Sequence, residues 1–149
     1  MRTTLNFVVP SILIVSLLIP TFAQDSNLTE NGSITDLKFL QKVYLIADST
    51  DARNRILKEL QKYPALTVVS SPDKADFFLE YKVLRQKYKW TDVKFPITNS
   101  EMIAYISKNK YRRVSWSKTE YNTGISRPNE VNLTRNFIKI LKKARGEKN

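Results

Sequence analysis

Lys42-Val43-Tyr44-Leu45-Ile46-Ala47, then Asp48-Ser49-Thr50-Asp51, then apolar residues at Ala52, Ile56, Leu60 and Tyr63 ahead of Pro64: this stretch decides the fold. The first six residues are apolar and β-rich, as a buried strand requires. The next four are a dense helix-start signal, with oxygen-bearing side chains to take up free backbone N–H groups and an acidic first turn. The apolar residues that follow recur at helical spacing, with Leu57 alongside, until Pro64 ends the helix. Residues 66–69 form a second apolar run, so the unit reads strand–helix–strand, with a right-handed crossover between parallel strands.

Beyond it, Ser70-Ser71-Pro72-Asp73 marks another helical turn, with Pro in the first turn. From Asp76 the period changes to two: Phe77, Leu79, Tyr81 and Val83 fall on one face, Glu80, Lys82 and Gln86 on the other. A hairpin is expected from residues 102–107 and 113–119 around Asn109-Lys110, with Val114 and Trp116 facing the core. Ser126-Arg127-Pro128 opens a last helix, whose apolar stripe is Leu133, Phe137, Ile140, Leu141 and Ala144. The predicted order is β-α-β-β-β-β-α. The fold class is α+β, a two-layer α/β sandwich with a mixed sheet and two helices on one face.

Residues 5–22 are nearly all apolar, follow a single charge at Arg2, and are interrupted by Pro10 and Pro20. A membrane span needs about 20 uninterrupted apolar residues, whereas the apolar part of a signal peptide needs about 7–15. Thr21-Phe22-Ala23 offers small residues at the positions a signal peptidase reads. The expected organisation is a signal peptide at 1–23, a flexible polar leader at 24–36 and one α/β domain at 37–149. The destination is secreted or periplasmic. The Asn-x-Ser/Thr patterns at Asn27, Asn31 and Asn132 carry meaning only in a host that glycosylates.

The chain of 149 residues contains no cysteine and no histidine. Disulfides, a lipoprotein anchor, thiolate chemistry, Ser-His-Asp triads and most zinc sites are thereby removed. Three glycines leave no phosphate-cradling loop. No cofactor is expected, and a small-molecule substrate is not expected either. Asp48 and Asp51 lie past the carboxyl end of a strand, where open α/β sheets bind ligands. The preferred reading is that Asp48, Ser49 or Thr50 caps the helix and Asp51 complements its dipole. Ser117 and Lys118 are adjacent on a strand and point to opposite faces, so they form no dyad.

The charge is unevenly placed. The formal net charge is +11, yet residues 25–81 carry 7 basic and 9 acidic residues while residues 82–149 carry 17 basic and 5 acidic. Two groups stand out as partner-binding candidates. Lys89, Trp90, Lys94 and Phe95 set large apolar and basic side chains in a region with loop-like punctuation. On the last helix Arg135, Lys139 and Lys142 recur at i, i+4, i+7, with Lys143 beside them, on a side expected to look outward. A positive field of this kind suits anionic lipid, an acidic polymer, an envelope protein or, with interleaved aromatics, single-stranded nucleic acid.

Ser71-Pro72-Asp73-Lys74-Ala75-Asp76-Phe77-Phe78-Leu79 resembles the turn, Ala-Asp, strand step of small periplasmic α/β modules, among them the N-terminal domain of TolB-type proteins and CsgG-type assembly proteins. With Arg127-Pro128-Asn129 and Asn132-Leu133-Thr134-Arg135-Asn136-Phe137, the chain is also similar to secreted proteins of soil bacteria such as acidobacteria. Both resemblances imply an envelope accessory protein and transfer no catalytic residue. Pro72-Asp73 followed by Glu80-Tyr81-Lys82 is similar to the bare pattern of PD-(D/E)xK nucleases. That resemblance implies Asp73 and Glu80 as metal ligands and Lys82 as the residue assisting the attacking water. The preferred reading is a non-catalytic binding or accessory module whose basic C-terminal half meets an anionic or protein partner. The alternatives are the nuclease and a single-stranded nucleic-acid-binding module. Intact mass of the exported protein is expected to match a chain beginning at Gln24; a species retaining residues 1–23 contradicts the processing.

Overall fold

The computed structural model describes residues 28–87, 96–108, 111–122 and 129–147. The signal-peptide reading of 1–23 and the candidates Lys89, Trp90, Lys94 and Phe95 lie outside the described residues. Strands are β1 (Leu28–Asn31), β2 (Lys42–Ala47), β3 (Thr67–Val69), β4 (Phe77–Lys87), β5 (Pro96–Lys108) and β6 (Tyr111–Asn122). The helices are α1 (Thr50–Leu60) and α2 (Asn129–Arg145), with short 3-10 turns at Ile34–Leu37 and Pro72–Lys74. The fold is α+β, a mixed sheet with two helices, as the sequence pattern implies.

The six strands lie in the order β1-β6-β5-β4-β2-β3. β3 and β4 flank β2 and both run parallel to it, while β4, β5 and β6 form the antiparallel meander. Ser49 starts α1, its hydroxyl accepting the Ala52 N–H at 3.2 Å. Asp48 serves a different purpose: its carboxylate accepts the Val83 N–H at 2.6 Å and ties the end of β2 to β4. Asp76 does the same at the other end, accepting the N–H groups of Gln41 at 3.0 Å and Lys42 at 2.8 Å.

Both helices cover one face of the sheet. Ile56 and Leu60 of α1 and Leu133, Phe137 and Leu141 of α2 are buried with Val43, Leu45, Phe77, Leu79 and Met102. Alternation on β4 runs as expected, with Phe77, Leu79 and Tyr81 inward. On β6 it does not. Ala104 pairs with Trp116 and Tyr105 with Val114, so Ser115 is an extra residue in the strand. Such a bulge shifts everything before it to the other face. Trp116 therefore meets the core as expected, while Val114 sits beside Tyr105 on the open face.

The polar segment expected to be a flexible leader is, from Leu28 onward, part of the sheet. β1 runs parallel to β6 with Leu28 opposite Tyr111, and Ser33 with Asp36 forms a reciprocal cap on the turn that follows. A polar sequence can supply an edge strand because edge pairing needs backbone groups more than apolar side chains. The chain passes close to an ion pair at Gly32: a Cβ at this position would lie 2.6 Å from Asp36 Oδ2 and 2.8 Å from Arg113 Nε, and would push those side chains aside.

Phe137 occupies the middle of the inner layer, its ring 5.3 Å from that of Trp116 and 6.2 Å from that of Phe77. Phe137→Ala is expected to destabilise the protein by about 3–5 kcal/mol in denaturant unfolding, because the sheet cannot close on the space left.

Candidate functional site: a basic groove between the helices

α1 and α2 each follow a strand that runs away from the start of β2, so both return in the same direction and lie side by side. Three layers of contacts mark their seam. Arg55 bonds the buried carboxylate of Glu130 near the start of α2. One turn along α1, Glu59 takes two bonds from Arg135, Nε at 2.9 Å and Nη2 at 3.2 Å, and one from Lys62 at 2.7 Å. At the far end Tyr63 is flanked by Lys142, with Nζ 5.3 Å from the ring centre, and by Arg145.

Between the middle and last layers lies a shallow groove of about 310 Å³, lined by Glu59, Lys62, Tyr63, Arg135, Ile138, Lys139 and Lys142. Its electrostatics are unequal along its length. The Arg135 hydrogen bonds, then that of Lys62, hold the Glu59 carboxyl at a pKa of about 2, against the opposing effect of burial. Burial raises the Tyr63 hydroxyl pKa, as does the bond it donates to Glu147 at 2.6 Å, although Arg145 pulls it the other way. Lys139 and Lys142 have no carboxylate within ion-pair distance among the described residues.

The structure thus gathers three of the five cations of the last helix onto one groove and gives them different work. The stripe is exposed at Arg135 and Lys139, and Arg135 is in addition paired across the seam with Glu59 because the two helices pack side by side. Lys139 and Lys142 line the open part of the groove, and Lys143 is exposed. Lys62 and Tyr63 were absent from the sequence candidates. Their place depends on how the turn after α1 lies against α2, and periodicity does not give that.

Glu80 and Lys82 project from the open face of the sheet and pair directly, at 2.8 Å, while Arg112 takes the other Glu80 oxygen at 2.7 Å. Asp73 stands on the exposed turn before β4, bonded by the Ser71 hydroxyl. Both Glu80 oxygens are thus occupied by cations. No group of three metal-ligating side chains exists among the described residues. The same face carries a ring stack: Tyr44 meets Phe78 edge-on at 5.9 Å, Phe78 stacks on Tyr105 at 5.2 Å, and the Arg112 guanidinium lies 3.8 Å from the centre of Tyr105. Both faces of Tyr105 are covered by its neighbours, so that ring has no free face to stack on a base.

No family model matches the sequence, and no curated protein matches it. Solved structures with some likeness include a PDZ domain protein from Parabacteroides distasonis, 13% identical with TM-score 0.42, covering 69% of this chain and 31% of its own. The PelC dodecamer from Paraburkholderia phytofirmans is 17% identical with TM-score 0.41, over 75% of this chain and 91% of its own. A minor lipoprotein from Acinetobacter baumannii is 11% identical with TM-score 0.36, over 72% of this chain and 94% of its own. At TM-scores this low the likenesses establish neither kinship nor function, and the reading rests on this chain's own residues. No helix among the described residues is long and apolar enough to cross a membrane.

A carboxyl whose pKa is depressed in the folded state contributes stability that is complete above its unfolded value of 4.5 and is lost as the pH falls toward 2. Glu59→Gln is expected to be less stable than the parent at neutral pH by roughly 1–2 kcal/mol, a figure reduced for solvent screening because its partners are about half exposed. The two unfolding curves should converge near pH 2.

Proposed function

We propose that the protein is a non-catalytic, exported accessory module that docks an anionic partner through the groove between α1 and α2. The observation that carries this reading is the division of labour in the groove. Arg135 is neutralised by Glu59 and holds the helices together, while Lys139 and Lys142 keep their charge facing the opening. Cations that complete a fold are normally matched by acids, and these two have no acid partner among the described residues, in a half of the chain with 17 basic and 5 acidic residues. Lys62, already bonded to Glu59, adds to the field from the other wall.

The absence of histidine and cysteine supports the non-catalytic part of the reading, since it removes the usual nucleophile activators. The engagement of Glu80 by Lys82 and Arg112 supports it over the nuclease alternative. The covered faces of Tyr105 support a polyanion held by charge over a base-stacking nucleic-acid platform. Export to the periplasm or beyond is the compartment consistent with the apolar run at 5–22, with removal near Ala23.

The expected behaviour is electrostatic. Binding of the mature chain to heparin, or capture of partners from an envelope extract, should weaken steeply with added salt, because exposed charges are screened over about 8–10 Å at ordinary ionic strength. Lys139→Glu with Lys142→Glu should abolish that binding and change folding stability by no more than about 1 kcal/mol. Unchanged binding in the double variant, or magnesium-dependent DNA cleavage that Glu80→Ala removes, contradicts the proposal.

A further inference from the structure

The parallel arrangement of β2, β3, β4, β6 and β1 places all their first residues at one end of the molecule. The carboxyl ends of both helices lie at that end too. There the segment leading into β2 carries Phe39, 84% exposed and the most exposed of the large apolar side chains described.

Phe39 is not on a loose loop. Leu37 before it is fully buried and Leu40 after it packs on the core. The Leu40 carbonyl accepts from Arg145, and the next two backbone N–H groups are held by Asp76. Both sides of the segment are fixed, so the ring is held out in water. An isolated exposed phenylalanine needs no explanation by itself. Its surroundings supply one.

Lys38 stands against the ring, with Nζ 5.3 Å from its centre. Lys74, on the turn before β4, and Lys143, in the last turn of α2, belong to the same end. Neither has a carboxylate within ion-pair distance among the described residues. Three acids at this end are hydrogen-bonded: Asp76 with backbone N–H groups, Asp73 with Ser71, and Glu147 with Tyr63. Tyr111, 60% exposed, adds a second aromatic at the first residue of β6. Opposite it in register is Leu28, the first residue of β1. An aromatic held in water, an amphipathic tyrosine and uncompensated lysines are the features that bind a surface with an apolar interior and anionic headgroups.

We infer that this end is a membrane-interface surface: Phe39 enters the headgroup region of a bilayer rich in anionic phospholipid, while Lys38, Lys74 and Lys143 meet its phosphates. The helical groove then faces sideways from the bilayer, free for a partner. The inference goes beyond the groove reading and rests on different residues.

Because the chain has no cysteine, one can be introduced and labelled cleanly. The mature chain is made as Phe39→Cys and, separately, as Tyr121→Cys at the exposed opposite end of β6, each carrying an environment-sensitive apolar fluorophore. Vesicles of phosphatidylcholine alone are compared with vesicles of equal parts phosphatidylglycerol and phosphatidylcholine. The label at position 39 should shift to the blue and be quenched by lipid-borne quencher only with the anionic vesicles; the label at 121 should do neither. In unlabelled protein, Phe39→Ser should weaken anionic-vesicle binding by about tenfold or more, whereas Lys139→Glu with Lys142→Glu should leave the position-39 signal in place. No signal at position 39, equal signals at both positions, or undiminished binding by Phe39→Ser overturns the inference. Those results leave the groove reading to its own test, and loss of polyanion binding alone leaves this inference standing.

Discussion

Phe137 lies against Trp116 and Phe77, and this contact on one face of the sheet governs where the rest of the chain can go. A helix whose apolar stripe is buried there must turn its other sides toward its neighbour and toward water. α1 has the same requirement through Ile56 and Leu60. With both helices on one face, Glu59 and Arg135 are forced to meet, and the paired ions cost little because each satisfies the other. Burial of each large apolar side chain is worth about 1.5–3 kcal/mol, well above the few tenths lost for like charges spaced along α2.

The same one-sided packing separates two surfaces with different chemistry. The open face of the sheet answers its own needs: Tyr44, Phe78, Tyr105 and Arg112 stack on one another, and Glu80 bridges Lys82 and Arg112. It offers a partner little that is not already used. The helical side leaves Lys139 and Lys142 unanswered. A further asymmetry comes from strand direction, because every strand but β5 starts at one pole and both helices run back along the sheet to end there. Basic residues in the last turns of α1 and α2 complement the helix dipoles there. Phe39 and Lys38 have no such internal purpose.

The strand–helix–strand unit, the period-two run from Phe77 and the last helix were legible because each rests on local periodicity and a cap within a few residues. Three features were not. β1 is polar, and its pairing with β6 is a contact between distant parts of the chain. The extra residue Ser115 leaves the alternation of β6 looking regular in sequence; only its register with Ala104 and Tyr105 shows which side Val114 takes. Arg135, Lys139 and Lys142 share a helix side by spacing alone, but their separate roles depend on Glu59, which lies 76 residues away. Sequence could name the cations and could not say which one the fold consumes.

We propose that the fold engages Arg135 and Lys62 through Glu59 and leaves Lys139 and Lys142 at the groove to meet an anion. Lysine acylation footprinting with mass-spectrometric readout, with and without heparin, tests it most directly. Lys139 and Lys142, and to a smaller degree Lys62, are expected to lose reactivity when heparin is bound, while Lys82 on the open face does not change. Protection of Lys82 with Lys139 and Lys142 still fully reactive would contradict it.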